Sequence, residues 1–326
     1  MALDPILLDP TRWDALAQAR KAIVLRIERL EGGVSAEVLA LTLRRANGAE
    51  QKVVLRQKAG TLGREALAMA RARAAGLPVP AVEKVSERLT PNGAPALLMP
   101  YIPGHRQIDR AQPGPQLQRM AAFLAELHQV DIEGLDALPW LLDPLPELPE
   151  FLAIDERFAA LRRWAESALP APYGGTPVLL HGDFWPGNLR WEGGVLAGVL
   201  DWEDCHRGDP MVDVALTRLE LRYVLGPAGA KQFTEAYGAR TPLDHLRLAL
   251  WDCYVASAAL TYMGSWGLPE AEVTHMRREA TAFVHEAAAR LGVPRAKSCA
   301  RNEAGNAPPG SVTRRNSSHP EDPLPG

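Results

Sequence analysis

The 326 residues carry 36 Lys and Arg against 39 Asp and Glu, a net charge of −3, so no global electrostatic case exists for nucleic acid as a partner. A hydrophobic share of 47% and a charged share of 23% are ordinary for a globular chain, and this length allows one large domain or two lobes around a sizeable core. No apolar run approaches a membrane span, and the three cysteines, Cys205, Cys253 and Cys299, have no metal-ligand spacing.

The expectation is free thiols in a reducing cytoplasm, no structural zinc and no membrane partner. The opening "MALDPILLDPTRWD" places acids and prolines before any base, so no secretory leader is expected there. Lys21 to Leu30 alternates like a strand. "EGG" at Glu31–Gly33 is a turn signal. Val34 to Arg45 alternates again, and Asn47–Gly48 is a hairpin signal before a returning strand, Gln51 to Lys58. Thr61 to Ala75 reads as a helix with Leu62, Ala66, Met69 and Ala70 on one face, stopped by Gly76 and Pro78. "ALLMPYIPG" (Ala96–Gly104) reads as a short buried strand.

Beyond residue 101 the chain changes character. Helices are expected at Pro115 to Val130 and from about Pro149 to Leu169. The polar stretch "LLHGDFWPGNLRW" (Leu179–Trp191) comes next, then a strand in "GVLAGVLDWED" with Asp201 at its end. From Asp209 to about Leu291 nearly everything reads as helix. The segment after it is rich in Gly, Pro, Ser and Asn and is expected to be disordered. The fold class is therefore α+β: a small antiparallel-sheet lobe with one helix, then a larger, mostly helical lobe. Two lobes imply a cleft, where ligands sit.

The chemistry concentrates in three residues. Pro186 and Gly187 make a tight turn that returns Asn188 toward Asp183. Mg2+ takes hard oxygen ligands and keeps several waters, using one or two protein groups plus substrate phosphates. Asn188 and Asp201 suit that role, which leaves Asp183 to accept a hydrogen bond from an attacking hydroxyl. The bland reading, an ordinary polar turn, fits "HGD" alone but not the ordered set.

That set, His181-Gly182-Asp183, Asn188 and then Asp201 after a strand, resembles the catalytic loop and metal-binding Asp of kinases. "HGDFWPGN…VLDWED…GDPMVD" is similar to the aminoglycoside phosphotransferase/choline kinase-like family of small-molecule kinases, over roughly residues 20 to 290. Gly182 stands where protein kinases carry a regulatory Arg, and Trp202 and Glu203 replace the Phe-Gly after the metal Asp.

The resemblance implies a two-lobed protein-kinase-like fold, with 1–101 a nucleotide-binding lobe, 102–292 a catalytic and substrate-binding lobe and 293–326 a disordered tail. It implies that Gly32 and Gly33 admit the phosphates to backbone N–H groups. It pairs Glu65 with a phosphate-gripping cation, here Arg56 where the family has lysine, and Lys58 lies on the same strand face. The adenine ring would meet the backbone around Met99 to Tyr101. The implied activity is Mg2+-dependent transfer of the γ-phosphate of ATP (or GTP) to a hydroxyl of a small-molecule substrate in the cytoplasm, with Asp183 as base. A free Asp has a pKa of about 3.9, and a loose transition state asks mainly for positioning and charge stabilisation.

Other residues have plainer readings. His181 holds the loop from within. Asp209 is a helix N-cap before Pro210, and Asp213 is structural. Glu203 is either a further metal or substrate ligand or a solvated acid. His128 is a packed helix residue. Trp251, Tyr254, Tyr262 and Trp266 form an aromatic stripe, core or partly acceptor pocket. Arg56 supports an alternative, a catalytically weak or inactive nucleotide-binding pseudokinase module. A metal-dependent hydrolase using His181, Asp183, Asp201 and His206 ranks last. The acceptor and the oligomeric state are left open.

Overall fold

The computed structural model describes residues 8–30, 36–58, 62–169 and 171–293. A short helix, α1 (Asp14–Ala19), leads into strands β1 (Ala22–Arg29), β2 (Glu37–Arg45) and β3 (Glu50–Gln57). The turn between β2 and β3 forms at the expected Asn-Gly. Gly48 takes φ +82° and donates its N–H to the Arg45 carbonyl at 2.9 Å, a conformation glycine adopts without a Cβ penalty.

Helix α2 (Leu62–Ala74) follows, and Gly76 at φ +85° ends it. Two further strands, β4 (Glu83–Val85) and β5 (Ala96–Pro100), complete an antiparallel sheet of order β1-β2-β3-β5-β4. The sequence reading had no β4, because three residues are too few to show a period.

Alternation sorts the sheet into two faces. Leu39, Leu41, Val53, Leu55, Ala96 and Leu98 pack with Trp13 and Leu16 in a small core. Leu97 and Met99, the alternate residues of β5, join α2 in the large core that runs through the helical part. Val54 and Arg56, the alternate residues of β3, line the cleft.

The helical part begins with α3 (Gly114–Leu127). The single helix expected over 149–169 is two, α4 (Leu148–Leu152) and α5 (Ala159–Ser167). Asp155 breaks it: its side chain accepts the Arg157 N–H at 2.8 Å and caps a short 3-10 turn, the local competition that favours Asp at helix starts. Strands β6 (Trp140–Leu141), β7 (Val178–Leu180) and β10 (His206–Gly208) form a small mixed sheet, and β8 (Leu189–Glu192) pairs with β9 (Val195–Val199) as a hairpin.

His206 is thus in a strand. Asp201, expected at a strand end, lies two residues past β9. Helices α6 (Met211–Gly238), α7 (His245–Tyr262) and α8 (Glu270–Arg290) complete the described chain, with α6 broken at Gly226 (φ +72°) before Pro227. Among the described residues no helix is long and apolar enough to cross a membrane. The tail beyond residue 293 lies outside the described residues, and so does Cys299.

Candidate active site

The polar loop is held by α6. Asp213, in the first turn of that helix, accepts the His181 N–H at 2.8 Å and the Gly182 N–H at 2.9 Å. Burial would raise its carboxyl, but the His128 contact and the loop N–H groups outweigh that and hold it below the usual range. His128 stands behind it, with Nε2 3.3 Å from Asp213 and Nδ1 2.7 Å from the Tyr237 hydroxyl. It therefore does more than pack. One turn along α6, Thr217 donates its hydroxyl to the Phe184 carbonyl at 2.8 Å.

Gly182 takes φ +82°, and a Cβ there would overlap the Asp204 carbonyl. The residue that protein kinases fill with Arg must be glycine in this loop. His181 donates Nε2–H to the Leu200 carbonyl at 3.0 Å, while Nδ1 accepts the Asp183 N–H at 3.2 Å. Both nitrogens are committed to the neutral tautomer, and burial pushes the imidazole down to about 4.

The loop's turn does what Pro186-Gly187 suggests. The Asn188 amide donates to the Asp183 carboxylate at 2.8 Å and to its carbonyl at 3.0 Å. Burial first, then the charge of Asp201, raise the Asp183 carboxyl to about 7. Asp201 itself adopts φ +62°, an uncommon conformation for a non-glycine residue that costs on the order of 1 kcal/mol and clusters at functional sites. Its carboxyl is raised by burial, against the pull of Arg56.

The sheet supplies the opposing wall. Arg56 is buried and forms ion pairs with Glu65, with Asp201 (3.0 Å) and with Glu203. Lys58 reaches only Glu203 among these acids, at 2.7 Å. The two residues expected to share a strand face therefore converge on the helical part, and Glu203 is a bridge between the sheet and the turn after Asp201. Glu65 is 1% exposed, and burial pushes its carboxyl up while Arg56 pulls it back. Met99 and Tyr101 both line the cleft, which also holds Arg56, Glu65, Asn188 and Asp201. The Tyr101 N–H is taken by the Lys52 carbonyl at 3.2 Å. Gly32 and Gly33 lie outside the described residues.

Sequence reasoning missed Glu220. Burial first, then the charge of Asp183, raise its carboxyl to about 8. It makes no hydrogen bond or ion pair among the described residues. The signal was present: Asp213, Thr217 and Glu220 are spaced four and three apart, one face of a helix, and the first two touch the loop. Asp209 holds helices together. It accepts the Met211 N–H at 2.9 Å from one position before the cap Pro210, and it also binds Arg247 (2.5 Å) and the Trp251 indole (2.7 Å). Trp251 is thereby core, whereas Tyr262 and Trp266 are exposed.

Asn188 and Asp201 suit a magnesium ion. With its amide nitrogen facing Asp183, Asn188 has its carbonyl oxygen left to offer, and Asp201 adds a carboxylate oxygen, a hard set completed by phosphates and water. The hydrolase arrangement does not assemble. His181 has both nitrogens in backbone contacts, His206 turns Nδ1 to the Asp204 carbonyl, and among the described residues no three His, Cys, Asp or Glu are placed to hold a metal ion together.

A sheet-borne cation–glutamate pair, set over a helical part whose loop carries aspartate and asparagine with a second aspartate past the next hairpin, defines a kinase-like phosphotransferase fold. The chain belongs to the phosphotransferase enzyme family, whose pattern matches residues 26–251. It is 33% identical over 199 residues to mouse acyl-CoA dehydrogenase family member 10, covering 52% of this chain and 18% of that protein. It is 28% identical over 204 residues to a homoserine kinase of Pseudomonas aeruginosa, covering 57% and 63%. The chain thus spans less than two thirds of either relative. In structure it resembles the aminoglycoside phosphotransferase APH(4)-Ia in ternary complex with AMP-PNP and hygromycin B, with a TM-score of 0.60 at 16% identity over 85% of this chain and 98% of that one.

Proposed function

We propose that the chain transfers the γ-phosphate of ATP (or GTP) to a hydroxyl of a small molecule, with Asp183 as the base and Asn188 and Asp201 as ligands of Mg2+. The observation that carries this reading is the ionic bridge across the cleft. Arg56 on β3 is paired with Glu65 on α2 and with Asp201 beyond β9, so the groups proposed for phosphate and metal face one another. The nucleotide analogue bound by APH(4)-Ia supports a nucleotide donor.

The steps follow from the residues. The nucleotide base enters beside Met99 and meets the backbone at Ile102, because the Tyr101 N–H is already taken. Arg56 offers guanidinium N–H groups to the phosphates. Bound at Asn188 and Asp201, Mg2+ would neutralise charge on the transferring group. Asp183, oriented by the Asn188 amide, accepts the proton of the acceptor hydroxyl. Glu220 beside it gives the acceptor a second hydrogen-bonding partner.

A nucleotide-binding module without transfer is the second reading, favoured by the Arg56–Asp201 pair, which competes with a metal for the same carboxylate. Melting temperature measured with ATP, GTP and Mg2+, alone and combined, tests both readings. A nucleotide shift that needs Mg2+ and diminishes in Asp201→Ala supports the transferase. A shift indifferent to both points to the binding module, and no shift with either nucleotide overturns the two together.

A further inference from the structure

Two arginines, Arg106 and Arg190, line the same cleft, and among the described residues neither forms an ion pair with an acid. His105 and Trp191 exchange backbone hydrogen bonds of 3.0 and 2.9 Å as an isolated antiparallel bridge. Pairing of that kind puts the next residues, Arg106 and Arg190, opposite each other on the other face. Trp191 is fully buried, and both arginines line the cleft. The approach is built in: Gly104 takes φ +108°, and a Cβ there would overlap the Trp191 carbonyl.

Like charges directly opposite on paired strands are destabilising. Among the described residues, Arg190 has only the carbonyls of Leu189 (3.0 Å) and Gly187 (3.4 Å) as hydrogen-bond partners, and Arg106 has no ion pair. Burial first, then the charge of Arg106, press the Arg190 guanidinium below its ordinary range. A half-buried cation facing another cation calls for an anion.

Its place in the cleft says which anion. On the reading above, the base lies at Ile102 and the phosphate chain at Asn188 and Asp201. Arg190 bonds Gly187, the neighbour of Asn188, and Arg106 is four residues beyond Ile102. The ribose lies between. We propose that Arg106 and Arg190 form an oxyanion subsite for a 2′- or 3′-phosphate on the ribose of a bound nucleotide, a group that ATP and GTP themselves lack. The inference rests on the nucleotide reading of the cleft and adds a ligand class to it.

Calorimetric titration of the full chain with AMP, ADP, GDP, adenosine 3′,5′-bisphosphate and adenosine 2′,5′-bisphosphate tests it. One of the two bisphosphates is expected to bind about tenfold or more tightly than AMP, as charge-assisted bonds require. Which of the two gains identifies the hydroxyl that carries the phosphate. The gain is expected to shrink in Arg106→Gln, whose exposed site spares the fold, and in Arg190→Gln, with AMP affinity kept, and to weaken with salt. Equal binding of AMP and both bisphosphates, or a gain that survives both substitutions, overturns the subsite while ADP binding upholds the cleft. Failure of both ADP and GDP to bind overturns the nucleotide reading and the subsite with it.

Discussion

Arg56→Met would leave Glu65, Asp201 and Glu203 facing one another with no guanidinium between them. Removing one member of a buried ionic cluster costs about 3 kcal/mol or more, and a pair with more access to solvent contributes less. Urea unfolding is expected to show Arg56→Met losing clearly more stability than Lys58→Met, since Arg56 holds three acids and Lys58, the more exposed of the two, holds one. Equal losses would sink the view that Arg56 organises the cluster. Asp183→Asn is expected to slow transfer on the order of 10²-fold or more while keeping the nucleotide-induced rise in melting temperature, because the proposed role of Asp183 is toward the acceptor hydroxyl and not toward the nucleotide or the metal. These residues were legible as types and order: an acid, an amide and an acid at fixed places. Their partners were not. Arg56 and Asp201 are 145 positions apart, and nothing local to either residue records the other. Glu220 was hidden for a related reason: a lone acid on a helix reads as solvated until the loop beneath it is known.

At the scale of elements, α6 and its Asp213 position the polar loop. Asp213→Ala would strand two buried N–H groups, those of His181 and Gly182, at about 1–3 kcal/mol each. Faster amide exchange at these two positions, with β1 to β3 unaffected, is the expected signature. His181 adds a pH dependence. Its imidazole is held near 4 in the folded chain, against about 6.5 when unfolded. The unfolded chain therefore takes up the proton first on acidification. The stability tied to the neutral ring is full above about 6.5 and is lost as pH falls toward 4, roughly 3 kcal/mol in all. The stability gap between wild type and His181→Gln should narrow over that window, and a constant gap would refute the assignment. Elements with their own punctuation were readable: the Asn-Gly hairpin, and α2 with its Gly76 stop. The split between α4 and α5 was not, because one Asp cap decides it within an otherwise helical composition. The two-residue β6 and three-residue β7 and β10 exist only through pairing with each other.

For the whole molecule, the question is whether residue 101 divides two folding units or only two chemical tasks. The described residues all fall in one compact unit. The core on the far face of the sheet is small and sheet-bound, but the near face belongs to the large core. Ala66, Met69 and Ala72 of α2, with Leu77, Leu97 and Met99, pack in the same cluster as Leu117, Phe123 and Phe184 of the helical part. Cutting at 101 would expose that surface to water at about 25 cal/mol per Å² of apolar area, and would remove Arg56 and Lys58 from Asp201 and Glu203. We propose that the boundary separates nucleotide-gripping from catalytic residues without separating their folding. Urea unfolding of the full chain should then give one transition, with coincident midpoints by tryptophan fluorescence and far-UV circular dichroism. A fragment of residues 102–293 should show no cooperative transition. If that fragment unfolds cooperatively at the midpoint of the whole chain, or the whole chain unfolds in two steps, the sheet and the helical part fold separately and the shared core is not what joins them.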